Sequence, residues 1–306
     1  EWEDQYKSGL ELLGMNYEDR AEPFEGASGI VHPLLAESVT QFQAQAYREL
    51  LPAGGPVKTA IIGQETPEVL AQAERVKNFM NYQITYEMEE YDPELDQMLF
   101  YLPIVGSSFK KVYFDPSLQR AVSKFVHAED LIVPYNATDL KTSTRICHVI
   151  RMDSNEIRKL QLSGFYKDIE LPTSDSEGAN YDEVRETIKD IQGIHSESSY
   201  NEELTLYEIH TDLDLPGFED MNQTGEATGL KMPYIVTILE KSGEVLSIKR
   251  NFNEADPLRS KIPYFVHYKF LPGLGFYGFG LTHMIGGLSR ASTSILRQLI
   301  DAGTLS

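Results

Sequence analysis

Hydrophobic positions recur at helical spacing in some stretches of the chain and at alternate residues in the stretches between them. From His32 to Leu51, HPLLAESVTQFQAQAYRELL carries Leu35, Val39, Phe42, Ala46 and Leu50 close to a 3.6-residue period, with Pro33 near its start and Pro52 after its end. From Pro67 to Glu90 a stripe of Val69, Ala73, Val76, Met80 and Ile84 predicts a second helix whose other face is of mixed charge. Pro93 to Leu102 predicts a third. After Gly106 the period becomes two: FKKVYFD, a turn at DPSLQ and RAVSKFVHAEDLIVP predict a hairpin followed by another short strand. Arg145 to Met152 predicts a further strand, and DSNEIRKLQLSG a helix capped at Ser154, followed by Asn155 and Glu156, that stops at Gly164.

The stretch from Leu171 to Tyr200 is polar and acidic around one amphipathic helix, Tyr181 to Gln192, and marks a plausible subdomain boundary. LTLYEIHTDLDL is a strand, NQTGEATG a loop, and PYIVTILE and EVLSIKRNF form a hairpin about the turn KSG. PYFVHYKFLP closes the β region. Phe279 to Gly303 is the longest helical stretch, about 37 Å at 1.5 Å per residue. Its Leu281, Ile285, Leu288, Ser292, Ile295 and Leu299 alternate steps of four and three, the seam of a helix packed lengthwise on other helices. Small residues at Gly286, Gly287, Ser289, Ala291 and Ser292 admit close neighbours. The mixture predicts an α+β fold in three regions: 1–200, 201–272, and a glycine junction with its helix over 273–306.

Composition narrows the function classes. With 306 residues, 41% of them hydrophobic, the chain can bury a sizeable core and is not disordered. Its net charge of −20 disfavours nucleic-acid binding by a general basic patch; such acidity serves solubility, repels a polyanion or attracts cationic partners. Cys147 is the only cysteine, which excludes a disulfide framework within one chain and suits a reducing compartment. The opening EWEDQYKSGLELLG lacks an initiator Met, a basic n-region and an apolar h-region, so neither a signal peptide nor the natural start is expected there. The tract Gly280 to Ile300 contains His283, Arg290 and Arg297, too polar for a membrane span, and a soluble protein is expected.

Candidate chemistry is sparse. GLGFYG, Gly273 to Gly278, spells G-x-G-x-x-G between a strand and a helix. A dinucleotide fold needs a second strand ending in an acid about 20 residues on, and the chain stops at Ser306 without one. The glycines instead predict a junction. Gly273 and Gly275 give a flexible approach, Gly278 and Gly280 let a helix leave a β layer at a sharp angle, and Phe276 and Tyr277 plug the corner. His210, Asp212 and Asp214 form H-x-D-x-D, a metal corner for a hydrolase because alternate strand residues share a face, although a solvated strand face is the commoner outcome. No G-x-S-x-G elbow and no Walker sequence occur, and Cys147 in an apolar strand favours inert burial. No active site, cofactor or metal is expected.

Long runs of the sequence resemble the portal, or head-to-tail connector, proteins of tailed bacteriophages, in particular the podovirus type. The resemblance is carried by EGASGIVHPLLAESVTQFQAQA, GPVKTAIIG, FYLPIVGSSFKKVYFDPSL, HAEDLIVPYNATDL, NEIRKLQLSGFY and FVHYKFLPGLGFYGFGLTHMIGG followed by SILRQLIDAGTLS. It implies a ring, usually a dodecamer, at one capsid vertex of the virion, assembled in the host cytoplasm, with a mixed α/β wing, a small α/β clip and a stem of long helices. Residues 1 to about 200 would be mostly wing, the hairpin at Lys241 to Gly243 and strand Pro263 to Leu271 clip, and Phe279 to Gly303 a stem helix. Family portals continue further, so a fragment of a longer protein is expected. The implied function is passage and retention of double-stranded DNA, without hydrolase activity. Implied partners are further copies of the chain, the terminase large subunit, a tail adaptor, and the major capsid and scaffold proteins, with no membrane. Arg290 and Arg297, seven apart on one helix face, would meet DNA phosphates or acids of a neighbouring subunit. The alternatives are a metal-dependent hydrolase using His210, Asp212 and Asp214, and a monomeric binding module.

Overall fold

The computed structural model describes residues 2–15, 20, 22–116, 118–172, 183–192, 203–221, 224 and 226–305. In chain order the helices are α1 (Trp2–Glu11), α2 (Leu34–Leu50), α3 (Pro67–Tyr82), α4 (Tyr91–Val105), α5 (Ser154–Leu162), α6 (Glu183–Gln192) and α7 (Leu281–Leu305). The strands are β1 (Ser107–Asp115), β2 (Arg120–Val126), β3 (Leu131–Ile132), β4 (Arg145–Asp153), β5 (Glu203–Leu213), β6 (Met232–Leu239), β7 (Val245–Arg250) and β8 (Phe265–Lys269). The fold therefore combines helices and sheets, as an α+β chain does. Of the acidic excursion, only Leu171, Pro172 and α6 are among the described residues.

The chain divides into two compact units, each discontinuous in sequence. One comprises Glu1–Val126, Glu183–Gly193 and Phe265–Ser306; the other comprises His127–Asp182 and Ile194–Tyr264. This division crosses the linear boundaries at 200 and 272. It also separates the two elements assigned together to a clip, because the Lys241 to Gly243 turn belongs to the second unit and β8 to the first. The cause is pairing: β8 returns to β1, in register Phe109 with His267, and leaves the β6–β7 hairpin behind.

In the first unit the antiparallel order β2-β1-β8 carries α4 on one face. Leu95, Met98 and Leu99 of α4 are buried against Phe42, Ala46 and Tyr47 of α2 and against Phe125 and Tyr268 of the sheet. Leu35 and Val39 of α2 are fully buried, following the helical period, while Leu50 at its end is exposed. The α4 helix begins at Tyr91 and tolerates Pro103 in its last turn, then stops at Gly106, a left-handed cap with φ 86° whose amide bonds the Leu102 carbonyl. Acids at its N-terminus tie down β2: the N-cap Glu90 pairs with Arg120 at 2.8 Å, and Glu94 of the first turn accepts from the Phe125 amide at 2.6 Å. Burial pushes the Glu90 pKa up, but its own backbone amide, the Arg120 guanidinium and the Ser123 amide together hold it below the usual carboxylate range.

The α3 helix is capped by Thr66, whose side chain accepts from the Val69 amide, and it runs into a π-helical turn over Gln83–Glu87. None of its residues is buried. The expected stripe exists as a face, yet Val69, Val76 and Met80 are exposed.

The second unit is an antiparallel sheet of order β3-β4-β5-β6-β7, with a bulge between Thr237 and Ile238. Its core is Ile157 of α5 with Tyr166, Leu204, Leu206, Leu239 and Leu246. The cap of α5 is Asp153, whose carboxylate accepts from the Asn155 amide at 2.7 Å, one residue before the Ser154 cap read from the sequence. A carboxylate at the helix N-terminus also complements the dipole, which a hydroxyl does less well.

Candidate functional site: the glycine junction and helix α7

GLGFYG occupies a loop closed at its neck by a pair of backbone hydrogen bonds, Leu271 amide to Phe279 carbonyl at 3.2 Å and the reverse at 2.8 Å. The Phe276 ring turns inward, 4.8 Å from the His267 ring and 6.0 Å from that of Phe109, while Phe109 and His267 lie 4.4 Å apart. Ser107 Oγ accepts from the Gly278 amide at 2.8 Å and lies 3.1 Å from His267 Nε2. Burial, and secondarily the Lys269 charge, pushes the His267 pKa down to about 4. The imidazole is therefore neutral near pH 7, and its tautomer sets which of Nε2 and the Ser107 hydroxyl donates to the other. Ser107 is 1% exposed, and with the half-buried His267 it joins the sheet to the glycine loop.

The glycines serve close approach. A Cβ on Gly278 would stand 2.5 Å from the Gly106 carbonyl oxygen, and one on Gly280 would stand 2.7 Å from that of Pro103. Gly106 answers from the other side, its Cβ position lying 2.5 Å from the Gly280 amide nitrogen. Gly273 abuts the Tyr277 carbonyl at 2.9 Å, whereas Gly275 meets nothing within 4 Å. The junction is thus interlocked at Gly278 and Gly280, and of the expected hinge glycines Gly275 has no steric reason to be glycine. Phe276 plugs the corner as expected; Tyr277 is only half-buried. No dinucleotide turn is formed, because the preceding strand belongs to an antiparallel sheet.

Helix α7 leaves the junction through its own caps. Gly280 donates to His283 Nδ1 at 3.1 Å, and Thr282 Oγ1 donates to the Ile104 carbonyl at 2.9 Å. Its inward face consists of small and polar residues: Gly286, Ser289 and Thr293 are buried, and a Cβ on Gly286 would touch Leu12 Cδ1 at 3.4 Å. The expected apolar seam is therefore not the seam within the chain. Leu281, Ile285 and Ser292 are half-buried, while Leu288, Ile295 and Leu299 are 60%, 65% and 70% exposed. Small side chains let the neighbouring backbone lie close, and the apolar row is rotated outward.

The polar side of α7 holds residues 28–32 as a strap. Asp301 accepts from the Ser28 amide at 2.7 Å, Thr293 from the His32 amide at 3.0 Å, and Arg297 Nε donates to the Ile30 carbonyl at 2.7 Å. Arg290 bonds the Ser8 hydroxyl of α1. Both arginines expected to meet DNA or a neighbouring subunit are thus engaged within their own chain. Asp301, Thr293 and Ser107 were not singled out in the sequence. Their partners lie far off along the chain, 273 residues away for Asp301, and no local spacing reports them.

His210 and Asp212 of the H-x-D-x-D motif lie on β5. His210 is 2% exposed, 2.9 Å from Glu208 Oε1 and edge-on to Tyr264 at 5.5 Å, whereas Asp212 is exposed and Asp214 lies past the end of the strand. The histidine finds its carboxylate two residues earlier, at Glu208, and its burial departs from the solvated strand face expected. Among the described residues no group of three His, Cys, Asp or Glu side chains could hold a metal ion. Cys147 on β4 is half-buried, and burial pushes its thiol pKa up. No helix among the described residues is long and apolar enough to cross a membrane. Neither protein-family models nor curated protein sequences match the chain.

Proposed function

We propose that the chain is a subunit of a ring-forming viral portal, the channel at one capsid vertex through which double-stranded DNA is packaged and ejected. The observation that carries this reading is the outward apolar row of α7. Met284, Leu288, Ile295 and Leu299 repeat along 25 residues of helix with more than half of each side chain in water. A monomer gains nothing from such a row, whereas a second helix packed lengthwise would bury it. The α3 helix presents a second apolar face with no buried residue, and ring closure requires each subunit to offer two different surfaces.

Charge supports the DNA role. A net charge of −20 keeps a polyanion from adhering, and a channel wall must let DNA slide. Copies of this chain in a ring, the terminase large subunit, a tail adaptor, and capsid and scaffold proteins are the partners that the reading requires, with the virion as its place. Electron microscopy of the full-length protein, alone and co-expressed with its capsid partners, is expected to show closed rings. A chain that stays monomeric in both preparations would overturn the reading and leave a binding module.

A further inference from the structure

A cleft of about 440 Å³ opens between the end of α1, the strap and the polar side of α7, and Arg20, Arg290 and Arg297 line it. Three guanidiniums in one cleft stand out on a chain with 27 basic against 47 acidic residues. Among the described residues Arg20 donates to the Ser28 carbonyl and Arg290 to the Ser8 hydroxyl. Both acceptors are neutral, and among the described residues neither guanidinium is ion-paired. Arg297 is oriented by the Gly29 and Ile30 carbonyls. Ser294 and Gln298, one turn apart on α7, add neutral hydrogen-bonding groups to the same wall. Glu11 and Asp301 border the cleft, and Asp301 is occupied by the Ser28 amide.

We propose that this cleft binds a phosphate group. A multi-oxygen anion can accept from several guanidinium N–H groups at once, geometry that arginine supplies and lysine does not. The guanidiniums are already positioned by the strap and α1, so little side-chain entropy is lost on binding. The flanking carboxylates of Glu11 and Asp301 confine the anionic group to the side of the cleft where the guanidiniums lie. The phosphate could belong to a free inorganic anion or to a nucleic-acid backbone, and the two sources share the chemistry. The inference stands apart from ring assembly, which is read by particle shape.

The test is calorimetry on the full-length protein at low salt with inorganic pyrophosphate as the probe, followed by competition with a short DNA duplex. Wild type is expected to bind, and Arg290→Gln and Arg20→Gln each to weaken binding at least tenfold. Ser294→Glu, at an exposed position whose side chain makes no hydrogen bond, is expected to weaken it as much with an unchanged melting temperature, which separates loss of the site from loss of the fold. Displacement by the duplex assigns the site to a nucleic-acid backbone, and its absence to a free phosphate. No binding by wild type, or binding that survives Arg290→Gln and Ser294→Glu alike, overturns the proposal.

Discussion

Lys110 is a buried ammonium in a place that does not need one. It lies on β1, 2% exposed, its Nζ makes no hydrogen bond, and it rests 4.2 Å from the Tyr91 ring centroid. Burial lowers its pKa from 10.5 to about 8, against the opposing pull of Glu94 and Glu90. That shift represents a bias of about 3 kcal/mol against the charged form at pH 7, and the contact with Tyr91 returns about 1 kcal/mol. Lys110→Met keeps the aliphatic stem and removes the charge, so it is expected to stabilise the first unit by about 2 kcal/mol at pH 7. Between the folded value near 8 and the unfolded value of 10.5 the unfolded chain binds the extra proton, so wild-type stability rises with pH. The advantage of Met should accordingly shrink by about 2 kcal/mol between pH 7 and pH 9.5. Urea unfolding followed by tryptophan fluorescence reads this directly, because the single tryptophan, Trp2, lies on α1 of the same unit. A Met variant less stable than wild type at pH 7, or a difference that does not change with pH, would refute the reasoning.

Gly278→Ala is expected to destabilise the first unit by about 2 kcal/mol or more through overlap with the Gly106 carbonyl, whereas Gly275→Ala should lie within about 0.5 kcal/mol of wild type; equal effects in denaturant titrations would sink the close-approach argument. His267 has a depressed folded pKa, so its contribution is complete above about 6.5 and is lost as pH falls toward 4. His267→Leu should therefore flatten the wild-type loss of about 3 kcal/mol over that window, and parallel pH profiles for the two proteins would show that the imidazole is not buried neutral. On the proposed ring reading, Leu288→Glu and Ile295→Glu should each abolish ring formation and leave subunit stability within about 0.5 kcal/mol, as exposed positions do; rings formed by both variants would remove α7 from the proposed interface.

Local signals made most elements legible. Pro33 and Pro52 bracket α2, Gly106 ends α4, and period two marks β1 and β2, because these are short-range preferences of backbone and side chain. Periodicity could say that α3 and α7 have apolar faces but not which face is covered. On α7 the covered face follows from glycine, serine and threonine, which admit a close backbone and which a hydrophobicity pattern scores as its polar side. The glycine motif was legible as a junction from its context. Its lock was not, since Ser107 and Gly278 lie 171 residues apart. The arginine cleft is likewise assembled from Arg20 and α7, which nothing in their local sequence connects.

The return of β8 to β1 imposes an order on synthesis. The chain leaves the first unit at Val126 and resumes its sheet at Phe265, roughly 140 residues later, which at about 5–20 residues per second takes on the order of 10 s on the ribosome. During that interval the free edge of β1 waits without its partner, while β3 to β7 pair with sequential neighbours and can close early. The Phe276 plug and the Gly278 lock are made last, so α7 receives its direction only after the second unit has been translated.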